Sequence, residues 1–211
     1  MSSEFVHSLT QMYVRTVSEM TEQDEIGLLF AEGTYIHRIR NDLATEAMSH
    51  GVSHLCWLDD DMRFPADTLV RLLGRKLPFV GVNYVQRGLP AQPISIDVGG
   101  VTGGNPRRLY TEAGDTRVVP VEGMGFGAVL IERRVFEAVP QPWFENYWSP
   151  VMGRWVGEDV DFCMKAARAG FQPMVDQALS QEIGHVGKFV YTHDHARAVR
   201  EMESDAAETK G

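Results

Sequence analysis

The sequence predicts an α/β fold in which a mostly parallel central sheet is flanked by helices. Three observations carry this expectation. Up to Val85 the chain alternates helix-spaced and strand-like apolar segments, an order that lays strands side by side with helices packed across them. Its 211 residues, 44% hydrophobic and 23% charged, suffice for one domain with a substantial core. An apolar strand also ends in three consecutive aspartates, and ligand sites in open sheets collect at the carboxyl ends of strands.

The elements follow in order. Phe5, Leu9, Met12, Tyr13 and Val17 recur at helical spacing over residues 4–20. Glu25-Ile-Gly-Leu-Leu-Phe-Ala-Glu32 reads as a buried strand. Asn41 and Asp42 are caps for a helix with Leu43, Ala44, Ala47 and Met48 on its apolar side, ended by Gly51. His54 to Leu58 is a strand running into Asp59-Asp60-Asp61. Pro65 takes the first position of a helix carrying Leu69, Val70, Leu72 and Leu73, and Phe79 begins a further strand. Residues 86–125 are rich in Gly and Pro, with strand-like pieces at 94–98 and 117–121. Residues 127–139 read as a strand and a short helix. Residues 140–157 form an aromatic loop with Trp143, Phe144, Tyr147, Trp148 and Trp155, which reads either as a stacking surface for a ligand or as a packed lid. A helix follows from Glu158 to Ala169. One domain is expected over 1–195, with 196–211 a polar, flexible tail.

Composition excludes some functions. The net charge of −9 argues against a broad basic face for a nucleic-acid backbone, and the pairs Arg107-Arg108 and Arg133-Arg134 read as solvated surface. No apolar run is long enough to cross a bilayer, and no secretory signal is visible. Cys56 and Cys163 lie in apolar segments, which suits buried free thiols in a reducing compartment.

Three motifs carry chemistry. In an extended chain the side chains of Asp59 and Asp61 point to one side, about 6–7 Å apart, and can flank a phosphate-bound cation. Hard cations such as Mg²⁺ and Mn²⁺ prefer such oxygens; the alternative is an acidic turn. Glu158, Asp159 and Asp161 open a helix, where acids cap free amides and suit the dipole. A carboxylate held there also serves as a general base for an acceptor hydroxyl. His185, between Gly184 and Val186-Gly187 in an expected loop, reads as a ligand, a phosphate contact or a structural histidine. His193 and His195 read as surface.

Taken in order, these residues resemble the GT-A glycosyltransferases, family 2-like, and in local wording their phage-encoded members. The resemblance rests on Arg40-Asn41, Trp57-Leu-Asp-Asp-Asp-Met-Arg-Phe-Pro65, Gly123-Met-Gly-Phe-Gly-Ala-Val-Leu-Ile-Glu-Arg-Arg134, Gly157-Glu-Asp-Val-Asp-Phe162 and Ile183-Gly-His-Val186. It implies a GT-A (nucleotide-diphospho-sugar transferase) fold. Asp59, Asp61 and His185 then hold Mn²⁺ or Mg²⁺, while Arg40, Asn41, Asp59 and Asp60 meet the nucleotide-sugar donor, a UDP-sugar. Glu158-Asp159 matches the family's paired acids, with Asp159 the base of an inverting reaction. Gly125, Phe126 and Trp155 fall on the acceptor side. The family opens with a strand that lines the base pocket, and this chain starts at the helix that follows it, so the fold is expected without its first strand. The location implied is the cytoplasm, that of the host for a phage-encoded chain. The acceptor is a saccharide or, alternatively, a hydroxymethylated pyrimidine of phage DNA; a second alternative is a nucleotide-sugar binding module without turnover. A metal-dependent nucleotidyltransferase or phosphatase would need a Gly-rich phosphate loop or a second acidic cluster near the N-terminus, and the sequence has neither.

Overall fold

Ala128-Val-Leu-Ile131 is apolar on both faces and buried throughout, as a strand in the middle of a sheet must be. The rest of the fold is arranged around it. The computed structural model describes residues 2–99, 107–150 and 153–208. Residues 100–106 of the Gly- and Pro-rich stretch, 151–152 of the aromatic loop and 209–211 of the expected tail lie outside the described residues. The helices are α1 (Ser3–Glu19), α2 (Ile36–Ser49), α3 (Thr68–Gly74), α4 (Arg133–Ala138), α5 (Glu158–Arg168), α6 (Gln177–Ser180) and α7 (His193–Glu208). The strands are β1 (His54–Leu58), β2 (Met62–Arg63), β3 (Phe79–Gly81), β4 (Ile96–Asp97), β5 (Val118–Gly123), β6 (Ala128–Glu132), β7 (Tyr147–Ser149), β8 (Arg154–Val156), β9 (Met174–Asp176), β10 (Gly184–Val186) and β11 (Val190–Tyr191).

Six strands are hydrogen-bonded in the order β1-β6-β3-β9-β5-β4. Among the described residues only β3 and β9 pair in parallel; the other neighbours are antiparallel. The central sheet is therefore mixed, which corrects the expectation of a mostly parallel one. The cause is β6. Alternation correctly gives β1 and β3 the same direction, with α3 between them. A gap is left between the two strands, and β6 fills it running the other way, Val129 standing opposite both Trp57 and Gly81. Periodicity records how a chain turns back, not which later strand is inserted.

Helices cover both faces. On one, Ala44 and Ala47 of α2, Phe136 of α4 and Phe162 of α5 pack on Trp57, Phe79, Val129 and Ile131. On the other, Phe5 and Met12 of α1, Leu69 and Leu72 of α3 and Leu179 of α6 pack on Val80, Val82, Ala128 and Leu130. α1 starts where the Ser2 hydroxyl accepts the Phe5 amide at 3.1 Å. α5 carries acids in its first turn and Lys165 and Arg168 in its last, matching the helix dipole. Both cysteines are free thiols, and burial pushes the Cys56 thiol up to about 12. No helix among the described residues is long and apolar enough to cross a membrane.

Several local expectations change. Glu25–Glu32 is not a strand: it has no regular structure, and Leu28, Leu29 and Phe30 are 46%, 40% and 63% exposed. α1 and α2 lie on opposite faces of the sheet, so the segment joining them crosses between layers without a strand partner. α2 begins five residues before Asn41, which places Asn41 and Asp42 inside the helix rather than at its cap. Its end is as expected, with Gly51 at φ 72 after His50. His185 lies in β10 rather than in a loop, and His193 is buried rather than on the surface. The expected tail is helical as far as Glu208, with Ala196 buried.

Phe162 is the hub of the aromatic core. It stacks on Phe144 at 4.7 Å between centroids and meets Phe79, Phe126 and Phe136 edge-on or tilted. Phe162→Ala is expected to cost about 3–5 kcal/mol of unfolding free energy in urea denaturation, because the surrounding rings cannot collapse into the space.

Candidate active site

The site forms where β1 ends. Asp59 donates its amide to the Gly127 carbonyl at 3.2 Å, and Met62 donates to the Asp59 carbonyl at 3.1 Å. Asp59-Asp60-Asp61 is therefore a tight turn, not the extended run assumed from sequence. The turn sends the carboxylates of Asp59 and Asp61 to different partners, while Asp60 is exposed.

Asp59 meets Arg40. This α2 side chain is buried under both acidic motifs. Its Nη2 lies 2.9 Å from Asp59 Oδ1 and its Nε 3.3 Å from Glu158 Oε1. Its guanidinium also lies over the rings of Trp57 and Phe126, at 5.6 and 5.2 Å from their centroids. Burial works against the Arg40 charge, and the carboxylates of Asp59, Glu158 and Asp159 outweigh it. Burial pushes the Asp59 carboxyl up against the pull of Arg40, and the charges of Asp61 and Glu158 push the same way. One cation thus ties the end of β1 to the start of α5.

Asp159 stands at that helix start. Its Oδ1 accepts the Val160 amide at 2.7 Å. Burial and the neighbouring Glu158 charge raise its carboxyl to about 6, against the Val160 N–H and Arg40. Asp161, the third acid of the motif, pairs instead with Lys165 at 2.8 Å, and Lys165 also holds Glu145 at 2.7 Å.

Asp61 meets His185 through a short ladder. β2 pairs with β10, His185 opposite Met62, and the Val186 amide donates to the Asp61 carbonyl at 2.7 Å. His185 Nδ1 lies 2.8 Å from the Val85 carbonyl oxygen. A carbonyl only accepts, so Nδ1 donates to it, and Nε2 lies 3.3 Å from Asp61 Oδ2. Arg87 Nη1 lies 2.9 Å from the same oxygen. Burial pushes the Asp61 carboxyl up, but the His185 contact and the His185 and Arg87 charges outweigh it and hold it low. Among the described residues no group of three or more His, Cys, Asp or Glu side chains is arranged to hold a metal. Asp61 and His185 are brought together, and Asp59 is drawn away by Arg40.

The other sequence candidates have distinct places. The Asn41 amide is a latch for the aromatic loop: it donates to the carbonyls of His37 and Phe144, both at 2.8 Å, and accepts the Trp143 amide at 2.9 Å. Phe126 has no exposed surface and supports Arg40 from within the core. Trp155 is 68% exposed on the β7–β8 hairpin, its ring 6.1 Å from that of Trp148. β8 leads through Gly157 into Glu158, so this aromatic pair adjoins the acids along the chain.

Sequence reasoning missed Tyr84. It follows β3 and packs edge-on against His185, centroids 5.2 Å apart. Gly125 and Gly127 make room for it. A Cβ on Gly127 would lie 2.8 Å from the Tyr84 ring, and one on Gly125 would overlap the hydroxyl oxygen. The spaced glycines of 123–127 were the available signal: they mark a close approach, though not what approaches.

No protein-family model matches the sequence, and comparison with curated proteins finds no match. Among solved structures, the crystal structure of A197 from STIV is similar, with a TM-score of 0.55 and 15% sequence identity. The match covers 85% of this chain and 78% of A197. At that identity the likeness is one of fold alone.

The Arg40 network makes a stability prediction. Arg40→Leu strands two carboxylates and is expected to lose about 3 kcal/mol at neutral pH. The loss should shrink as pH is lowered, because a protonated carboxyl carries no charge to leave unpaired. Denaturant unfolding of both proteins at several pH values reads both effects.

Proposed function

We propose that the protein is a metal-dependent GT-A glycosyltransferase that transfers a sugar from a nucleotide diphosphate, a UDP-sugar, to an acceptor hydroxyl with inversion. The observation that carries this reading is the convergence at Arg40. Acids separated by about a hundred residues in sequence meet around one buried guanidinium, with Asp59 on one side and Glu158, next to Asp159, on the other. Paired acids on two sides of one centre are what displacement at a sugar carbon requires.

In this reading Asp159 takes the proton of the acceptor hydroxyl. The acceptor oxygen forms a bond to the anomeric carbon as the bond to the diphosphate breaks, and that electron pair leaves on the diphosphate. A carboxyl raised to about 6 suits the base, being ionised at neutral pH yet still basic. Asp61 and His185 Nε2 fit a divalent cation. The Val85 carbonyl fixes the histidine tautomer that offers Nε2, and two protein donors leave positions for diphosphate oxygens. Such a cation supplies positive charge for the leaving group. Arg40 holds the carboxylates of Asp59 and Glu158 in place. The exposed Trp148–Trp155 pair offers stacking faces to an acceptor, either a sugar ring or a nucleobase.

A nucleotide-sugar binding module without turnover is the second reading. It is favoured by the absence, among the described residues, of a three-ligand metal cluster and by the commitment of Asp59 to Arg40.

A melting-temperature panel of UDP-, GDP- and dTDP-sugars with and without Mn²⁺ tests binding. A Mn²⁺-dependent rise with at least one of them is expected, and no rise with any would contradict both readings. Turnover separates the two. Asp159→Asn should lower kcat at least about 100-fold while keeping the donor-induced shift. In the wild type, kcat/KM should fall as pH drops through about 6, since Asp159 then binds a proton and cannot accept another. Near-normal turnover by Asp159→Asn would remove this residue from the base role.

A further inference from the structure

Past β3 the chain runs on toward the Val85–Pro93 bridge, but it loses a neighbour. β9, which pairs with Val80 and Gly81, ends at Asp176 and turns into α6. Along a strand, successive residues point their backbone groups to alternate sides. Val82 and Tyr84 use one side: the Val82 amide donates to the Ala128 carbonyl, and the Tyr84 carbonyl accepts from the Ile94 amide. Asn83 and Val85 use the other, where β9 has ended. Side chains stand in for the strand there. Ser180 Oγ accepts the Asn83 amide at 2.8 Å, His193 Nε2 lies 3.1 Å from the Asn83 carbonyl oxygen, and His185 Nδ1 lies 2.8 Å from that of Val85.

His185 belongs to the candidate site; His193 has no part in it so far. It opens α7 and is 1% exposed. A carbonyl only accepts, so Nε2 donates to Asn83. Burial holds the ring neutral against the pull of that carbonyl, which leaves Nδ1 a bare acceptor, buried and without a hydrogen-bond partner. An unpaired buried nitrogen is destabilising, and an apolar ring would avoid that cost. What the histidine adds is one donor, aimed at the carbonyl two residues before Val85. α7 meets the same segment again through Ala196, which clusters with Val85 and Tyr191.

We propose that His193 is a positioning residue for the Asp61–His185 side of the site: its bond to Asn83 sets where the Val85 carbonyl stands, and so how His185 presents Nε2 beside Asp61. The consequence for a cation rests on the proposed metal-dependent reading; the positioning itself does not.

The test separates a donor from a packed side chain. His193→Phe and His193→Met fill the space and lack an N–H, while His193→Gln keeps one. The first readout is NMR of the imidazole N–H protons in the unliganded protein. In wild type the Nδ1 proton of His185 and the Nε2 proton of His193 should both exchange slowly with solvent. In the two donor-less variants the His185 proton should exchange fast, and in His193→Gln slowly again. The second readout is Mn²⁺ affinity in the presence of UDP, GDP or dTDP, measured from free Mn²⁺ by electron spin resonance. A loss of about tenfold is expected in the donor-less variants, with recovery in His193→Gln. Arg200→Leu frees α7 from Glu112 and is the structural control: it should lower the melting temperature and leave the His185 proton as in wild type. A fast-exchanging His193 proton in wild type would overturn the proposal without any variant. So would an unchanged His185 proton in either donor-less variant, no recovery in His193→Gln, or the same change in Arg200→Leu. Should wild type bind no Mn²⁺, the cation reading fails by itself, and the His185 proton still decides the positioning claim.

Discussion

The buried guanidinium of Arg40 is the interaction on which the rest of the site depends. An unpaired charge at that depth costs several kcal/mol, so Arg40 can stay only because Asp59 and Glu158 meet it and because Trp57 and Phe126 offer their ring faces beneath it. The constraint runs both ways. The same cation pulls against the desolvation that raises the Asp59 carboxyl, and it sets the end of β1 beside the start of α5. Helix α2 presents Arg40 from a face whose Ala44 and Ala47 lie close on the sheet. Small residues there let the helix sit near enough for one side chain to span both motifs.

The second arrangement works by strand register. Two residues of β2 pair with β10 and bring His185 alongside Asp61, although their chain positions are far apart. The Val85 carbonyl then orients the imidazole, and Tyr84 packs against its ring. β3, β6 and the glycines before β6 complete the frame, since Gly127 accepts from Asp59 and leaves room for Tyr84. The chemically useful groups are thus held by backbone ladders and by one ion network, with the aromatic core centred on Phe162 directly below.

Much of this was legible in the sequence, for physical reasons that can be named. α1, β1, α3, β6, α4 and α5 were visible because their apolar residues repeat at the period of the element and Gly or Ser marks their ends. The acids at 59–61 were visible because charge directly after an apolar strand is costly unless paired, and those at 158–161 because three acids are more than a helix start needs for capping. What was not legible depends on tertiary neighbours. Glu25–Glu32 has the composition of a strand, and only the structure shows that nothing pairs with it. The insertion of β6 between β1 and β3 left no local trace. The bond between Asn41 and the aromatic loop, the burial of His193 and the bridging of both acidic motifs by Arg40 all arise from residues distant in sequence.

The central claim is that the acids on the two sides of Arg40 act on opposite faces of one sugar. The most direct measurement is proton NMR of the anomeric signal as a nucleotide sugar is consumed with Mn²⁺ and an acceptor present. The account predicts a first-formed product of opposite anomeric configuration to the donor, with signal growth that depends on Asp159. A product of retained configuration, formed at the same rate by Asp159→Asn, would contradict it.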